Sequence, residues 1–347
     1  MIRLAVYGVD GPRCEEIARR VRGIEIVSLN SAIADTNEGG DRDNGARRKT
    51  DCSPALLNGG EFDFDAVAFV EAAPIDIAEL NRLMSAGKHL LLATNSVLSI
   101  SSLDTVVDRG LSTGVQVVVL NPDHAIPSRR LIHDELRGST LGAAGLIRIH
   151  RWEPASSFGA LDGSRLPPAL SRDLELVLWL TQQTPDTVFA VERSAAGDQE
   201  AGKHIDPEHA DCVQTGELRR TTCTVQVHLG FADGSMALID YSDIPEGTDK
   251  YYSLSVICAH GSMTADDHQN QQLLFGNGGM QARTADEGVL HLSSMISQFV
   301  DGLTSADAAK AGIARWHQWR EVAAMVETSI DSGQAVSLEA VRGGELP

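Results

Sequence analysis

The chain has 347 residues, 42% hydrophobic and 22% charged, with a formal net charge of −19 at pH 7, a length that suits two domains rather than one core. That acidity excludes DNA, RNA and anionic membrane as partners, because phosphate recognition requires clustered Lys and Arg, and no apolar run approaches the roughly 18–20 residues of a membrane span. The five cysteines are widely spaced and form no CxxC pair, which points away from a disulfide framework or zinc site and toward a reducing cytoplasm.

The run Ile2 to Val9 is continuously apolar and ends at a glycine, as a buried parallel strand does, and it lacks the basic-then-apolar layout of a signal peptide. A helix follows from Cys14 to Val21 and a second strand from Glu25 to Leu29. Strand, turn, helix and strand within about 30 residues open a dinucleotide-binding βαβ unit. From Ala34 to Phe62 periodicity is lost, which predicts a long surface loop; the Arg47-Arg48-Lys49 run within it reads as a solvated face. Regularity returns with a strand from Asp65 to Pro74, a helix marked by Ile77, Leu80 and Met84, and a buried strand from His89 to Ala93. A helix around Ser101–Asp108 and a strand at Val115–Leu120 complete an alternating half, which predicts a doubly wound parallel sheet.

The second half reads differently. A helix is expected across Ile126–Leu136, a strand at Leu146–Arg151 and a helix at Asp173–Leu180. Strands then crowd together at Thr187–Glu192, Thr222–Leu229, Ser235–Tyr241 and Tyr252–Ala259, with Phe231 to Gly234 forming a hairpin turn in which Gly supplies positive φ. Neighbouring strands without helices between them imply an α+β domain. A long closing helix, Asp307–Ile330, carries Trp316, Ala323, Val326 and Ile330 as its core stripe.

In this order the elements resemble the Gfo/Idh/MocA oxidoreductase family. Ser85 to Asn95 (SAGKHLLLATN) is similar to that family's AGKHVLCEKP segment, and Arg137 to His150 to its G-x-LG stretch before the first strand of the substrate domain. Ser171 to Leu180 resembles its HDxDLxxWL helix, and the closing RWHQWREVAAMVETSIDSGQAVSL its last helix and tail. The resemblance implies a Rossmann-like N-terminal domain over residues 1–120 and an α+β C-terminal domain over 121–347 with a large, mostly antiparallel sheet. It implies NAD or NADP as cofactor, a sugar, polyol or related small-molecule substrate in an interdomain cleft, and a homodimer or homotetramer formed through the C-terminal sheet.

The resemblance also shows where this chain departs. The Glu-Lys-Pro positions fall on Ala93, Thr94 and Asn95, and the Asp-x-x-x-His pair on Pro168 and Arg172. Thr94 supplies no cation, and Arg172 stays protonated and is no general base near neutral pH. A G-x-G-x-x-G pattern started at Gly8 puts Asp10 and Arg13 at the second and third glycine positions, with Gly11 close by. The second strand ends in Asn30 and Ser31 where a ribose-binding acid is usual. The cofactor-contact set implied is therefore Gly8, Asp10, Gly11, Arg13, Asn30, Ser31, Ala73, Pro74 and Asn95. The stand-ins for the lost chemistry are Arg172 (anchoring a carboxylate or polarising a carbonyl), Thr94, and His124, of a residue type suited to proton transfer; Trp152 and Asp173 are expected at the substrate. His204, Asp206, His209 and Asp211 are ligand types for zinc or manganese but follow no named metal spacing, so no metal site is assigned. Two readings stay open: an NAD(P)-dependent oxidoreductase with an eroded catalytic site, or a catalytically inactive relative serving as a binding, regulatory or partner subunit.

Overall fold

The computed structural model describes residues 1–7, 9, 11–27, 64–70, 77–93, 100–138, 140–154, 166–194, 223–244, 250–266, 271–276, 279–284, 290–303 and 306–344. The chain divides into two compact units, one made of Met1–Asp134, Ala160–Leu180 and Ala285–Glu321, the other of Glu135–Gly159, Thr181–Thr284 and Val322–Pro347. This differs from a single division at residue 120. Two later stretches return to the first unit.

In the first unit, β1 (Ile2–Tyr7), β2 (Ile24–Val27), β3 (Ala66–Phe69), β4 (His89–Ala93) and β5 (Val117–Leu120) form a parallel sheet in the order β2-β1-β3-β4-β5. Both faces of a parallel sheet are covered, and β3 accordingly is buried at all four positions. Chain order reverses between β1 and β3, which makes the carboxyl ends of those two strands the topological switch point. The helices α1 (Gly11–Arg20), α2 (Ile77–Ser85) and α3 (Ile100–Thr113) alternate with the strands as the periodicity predicts. A helix not anticipated from the sequence, α6 (Leu290–Leu303), completes this core: Leu292, Met295, Ile296 and Phe299, at i, i+3, i+4 and i+7, are buried with Leu4, Val6 and Leu91. Each such side chain contributes about 1.5–3 kcal/mol when removed from water.

Between β5 and α6 come a 3-10 turn (Pro122–Ala125), α4 (Pro127–Arg137), β6 (Ala144–Pro154) and α5 (Pro168–Thr181). Proline begins both α4 and α5, the helical position where a missing N–H costs nothing. In the second unit the sheet runs β13-β12-β11-β10-β6-β9-β8-β7-β14. Its members besides β6 are β7 (Thr187–Ser194), β8 (Cys223–Gly230), β9 (Met236–Ile244), β10 (Tyr251–Cys258), β11 (Gly261–Asp266), β12 (Gln271–Gly276), β13 (Gly279–Thr284) and β14 (Val336–Ser337). Only β6 and β9 pair in parallel, so the sheet is mixed and mostly antiparallel as expected.

The β8–β9 hairpin turns where the sequence predicts. Gly234 has φ +82° and donates its N–H to the Phe231 carbonyl at 2.9 Å. Asp233 locks the corner, accepting from the Ser235 hydroxyl at 2.6 Å and from Gln183 Nε2 at 2.8 Å, and these bonds push its carboxyl down to about 2. The long helix α7 (Ala306–Ser332) buries Trp316, Trp319, Ala323 and Val326, and α8 (Leu338–Gly343) ends the chain's described part with Gly344 in the left-handed region.

Candidate functional site

The parallel sheet ends at Leu120, and the residue after it ties the 3-10 turn to α5. Asn121, 2% exposed, caps the turn: its Oδ1 accepts the Asp123 N–H at 3.0 Å. With Oδ1 so used, Nδ2 is left to donate to the Arg172 carbonyl and to Glu175 Oε2, both at 2.8 Å. One amide thus joins the carboxyl end of β5 to α5. The turn carries His124, whose Nε2 lies 2.6 Å from Glu175 Oε2, with the side chains 7% and 13% exposed. The carboxylate oxygen stands off the axis of the ring nitrogen, so the pair is a close contact rather than an aligned hydrogen bond. The imidazole is stacked on Trp179 at 4.3 Å and 16°, and His133 of α4 is stacked on the same indole at 4.0 Å and 6°.

A recess of about 20 Å³ adjoins this group, lined by Asn121, His124, Glu175, Arg315, Trp316 and Trp319. It has room for an ordered water. Its far wall is fixed by Trp319 Nε1, which donates to the Ser171 carbonyl at 2.8 Å, and by Trp316 Nε1, which donates to Asp104 of α3 at 2.6 Å.

Of the residues expected from the sequence, His124 and the backbone of Arg172 are thus brought together, tied through Asn121 and Glu175. Arg172 is half-buried on α5 and Asp173 beside it is fully buried. Gly11 begins α1 and Arg13 stands half-buried in its first turn, which holds no acidic residue. A helix N-terminus with a cation and no acid in its first turn offers N–H donors and positive charge to an anion. Gly8, Asp10, Asn30, Ser31, Ala73, Pro74, Thr94 and Asn95 lie outside the described residues, as do the loop of residues 34–62 and His204 to Asp211. Among the described residues, no cluster of three His, Cys, Asp or Glu could hold a metal ion.

Trp152 belongs to the second unit. It is 42% exposed and meets Tyr251 at 5.2 Å and His150 at 5.2 Å; His150 Nδ1 in turn lies 3.1 Å from Asp240 Oδ2. Strand alternation sends its neighbours to the opposite face. There Arg151, 6% exposed, lies over the Tyr252 ring at 4.3 Å and reaches Glu153 at 3.0 Å, while Tyr241 donates to Asp243. Burial, and then the bond to Asp243, hold the Tyr241 hydroxyl far above its ordinary range.

Sequence reasoning missed Glu175, Asn121, Trp179 and His133. A signal was present in α5, since Arg172, Glu175 and Trp179 are three and four residues apart and share one helical face. Chemically the group offers an imidazole with a carboxylate beside it, at the carboxyl edge of a parallel sheet.

No protein-family model matches the chain, and no curated protein does. Solved structures do. An oxidoreductase from Agrobacterium radiobacter in complex with NAD+, L-tartaric acid and magnesium is 12% identical, with a TM-score of 0.63 over 98% of this chain and 99% of that one. A scyllo-inositol dehydrogenase from Lactobacillus casei with bound NAD(H) and scyllo-inositol is 13% identical, with a TM-score of 0.57 over 98% and 99%. An NAD binding oxidoreductase from Klebsiella pneumoniae is 15% identical, with a TM-score of 0.60 over 79% and 80%. At such identities the likeness speaks for architecture, and this chain has the two-domain fold of Gfo/Idh/MocA-type dehydrogenases.

Proposed function

We propose that the chain is an NAD(P)-dependent oxidoreductase acting on a sugar, polyol or related small molecule. The observation that carries this reading is His124, a titratable group held at the carboxyl edge of a doubly wound sheet by Asn121 and Glu175. Its fold is shared with a dehydrogenase solved with NAD(H) and scyllo-inositol and an oxidoreductase solved with NAD+ and L-tartaric acid. The cofactor, when bound, supplies the hydride acceptor. The chain does the rest: Gly8, Gly11 and Arg13 hold the diphosphate, Asn30 and Ser31 the ribose, and Thr94 and Asn95 make further ribose or substrate contacts. His124 takes the proton of the carbinol hydroxyl. Arg172 anchors a carboxylate or polarises a carbonyl, a task suited to a permanent guanidinium.

Calorimetric titration with NAD(H) and NADP(H), followed by turnover on a panel of inositols, polyols and hydroxy acids, tests the reading. Micromolar binding of either cofactor is expected. Absence of binding at millimolar concentration overturns it. That result would favour the second reading, an inactive relative serving as a partner subunit, which Thr94 and Arg172 support by standing where the resembling enzymes carry Lys and His. We further propose that the chain assembles as a homodimer or homotetramer through the open face of the nine-stranded sheet, where Trp152, Phe189, Val191, Met236 and Ile257 are exposed.

A further inference from the structure

We infer that two copies of the chain stack by the open faces of their nine-stranded sheets with Arg148 of each paired to the partner subunit's Asp240. The inference rests on the proposed homo-oligomer for the face itself, and goes beyond it by naming the contact that sets orientation and register.

Strand register puts both residues on one face. Arg148 of β6 stands opposite Leu238 of β9 and Ser255 of β10, neither of them an acid. It is exposed, and among the described residues it makes no ion pair or hydrogen bond. Asp240 of β9, opposite His150 of β6 and Gln226 of β8, is its complement. The Asp240 side chain is 20% exposed, and its Oδ2 lies 3.1 Å from His150 Nδ1. His150 is itself packed edge-on against Trp152 at 5.2 Å and Tyr251 at 5.7 Å, so Oδ2 is engaged by a fixed ring. Oδ1 has no partner among the described residues. Asp266 of β11, on the same face, already meets the Tyr251 hydroxyl at 3.5 Å and has further contacts. Within one chain Arg148 and Asp240 do not pair. A twofold pair of identical faces makes every contact twice, the second being the first with the copies exchanged. Covering the face takes water from Arg148, and a desolvated guanidinium requires a counter-charge. Setting it against its own symmetry mate would bring like charges together. Arg148 and Asp240 sit on neighbouring strands, one diagonal step or roughly 8 Å apart. A twofold axis lying in the interface between the two positions therefore brings each cation onto the opposite acid. The exposed side chains around them, Trp152, Met236 and Ile257, supply the apolar attraction. The two ion pairs fix orientation and register.

The test is a pair of charge reversals in the full chain, Arg148→Glu and Asp240→Arg, read by light scattering after gel filtration in 0.3 M salt. Either reversal leaves like charges at both positions of a face. Each variant alone should associate at least about 100-fold more weakly than wild type and run at 37.1 kDa. Mixed one to one, the two should recover the wild-type mass, because every contact of the mixed pair joins opposite charges. Pairing within one chain cannot produce that recovery, since neither variant holds opposite charges at the two positions. Arg148→Glu mixed with Asp266→Arg should not recover it, and recovery there would overturn the assignment to Asp240. Should a reversal fail to fold by circular dichroism, Arg148→Gln and Asp240→Asn replace the pair. Each should weaken association about 10-fold and, combined in one chain, no more than either alone, whereas additive losses overturn the contact. Reversal variants that keep the wild-type mass, or a mixture that stays at 37.1 kDa, overturn the inference while the wild type remains oligomeric. A wild type of 37.1 kDa in 0.3 M salt instead overturns the homo-oligomer reading, and the contact with it.

Discussion

His89 opens β4 with Nδ1 accepting the Gln116 N–H at 3.1 Å, a bond only the deprotonated nitrogen can make. Burial is the larger influence and lowers its affinity for a proton below the ordinary value of 6.5, while the Asp65 carboxylate opposes it. The folded value being the lower one, the unfolded chain takes the proton first as pH falls through 6.5, and stability declines from there until the folded state also protonates. The urea midpoint measured at pH 7.5 and 5.5 should therefore fall more for the wild type than for His89→Gln. Equal falls would assign the acid sensitivity to other histidines. The same scale shows what could be read from the chain alone. His124 was legible as a titratable residue after the last parallel strand, and Arg172 through the likeness of its helix. Glu175 was not, since its meaning comes from Asn121, 54 residues away, and from a 3-10 turn no periodicity announces.

Among the elements, α3 illustrates a glycine whose role the sequence conceals. Gly110 lies where a helix ending near Asp108 is the natural reading, yet α3 continues to Thr113 and ends at Gly114, whose φ of +72° is the usual left-handed stop. Gly110 instead permits close approach to β5: a Cβ there would stand 2.5 Å from Val117 Cγ2 and 3.1 Å from the Val115 carbonyl oxygen. Gly110→Ala, which favours helix elsewhere, should here destabilise by about 1–3 kcal/mol through overpacking. Chemical denaturation reads this directly, and a stabilised variant would refute the close-packing account. Long alternating segments such as β1, α2 and β4 were legible because their period matched their burial. The strands β11 to β13 were not, since the short polar runs of residues 261–284 draw their pairing from one another rather than from an apolar period. Helix α6 had a readable stripe, but it sits among flanking polar residues that hide its boundaries.

At the scale of the whole molecule, register decides which surface the nine-stranded sheet leaves open. Met236, Leu146 and Ile257 are directly paired across β9, β6 and β10, so they share a face, and alternation adds Trp152, Val191 and Phe189 to it. Five of these six are exposed by 37% to 54%. These exposed apolar side chains, set among Arg148, Gln226 and His228 on the same face, match a partner better than water, and a second copy is the partner proposed. Opposing it is a charge of −19 on each chain, whose mutual repulsion is felt over about 10 Å at 0.1 M salt and about 30 Å at 0.01 M. The assembly should therefore strengthen with salt, the reverse of one held by ion pairs. Light scattering after gel filtration should give two or four times 37.1 kDa at 0.3 M salt and a lower mass at 0.01 M. Met236→Glu with Ile257→Glu adds charge to the face without touching either core, and should leave a folded species of 37.1 kDa at both salt concentrations. A mass unchanged by the double substitution would place the contact on another surface, and a mass that falls as salt rises would mean that charge pairing, not the apolar face, holds the copies together.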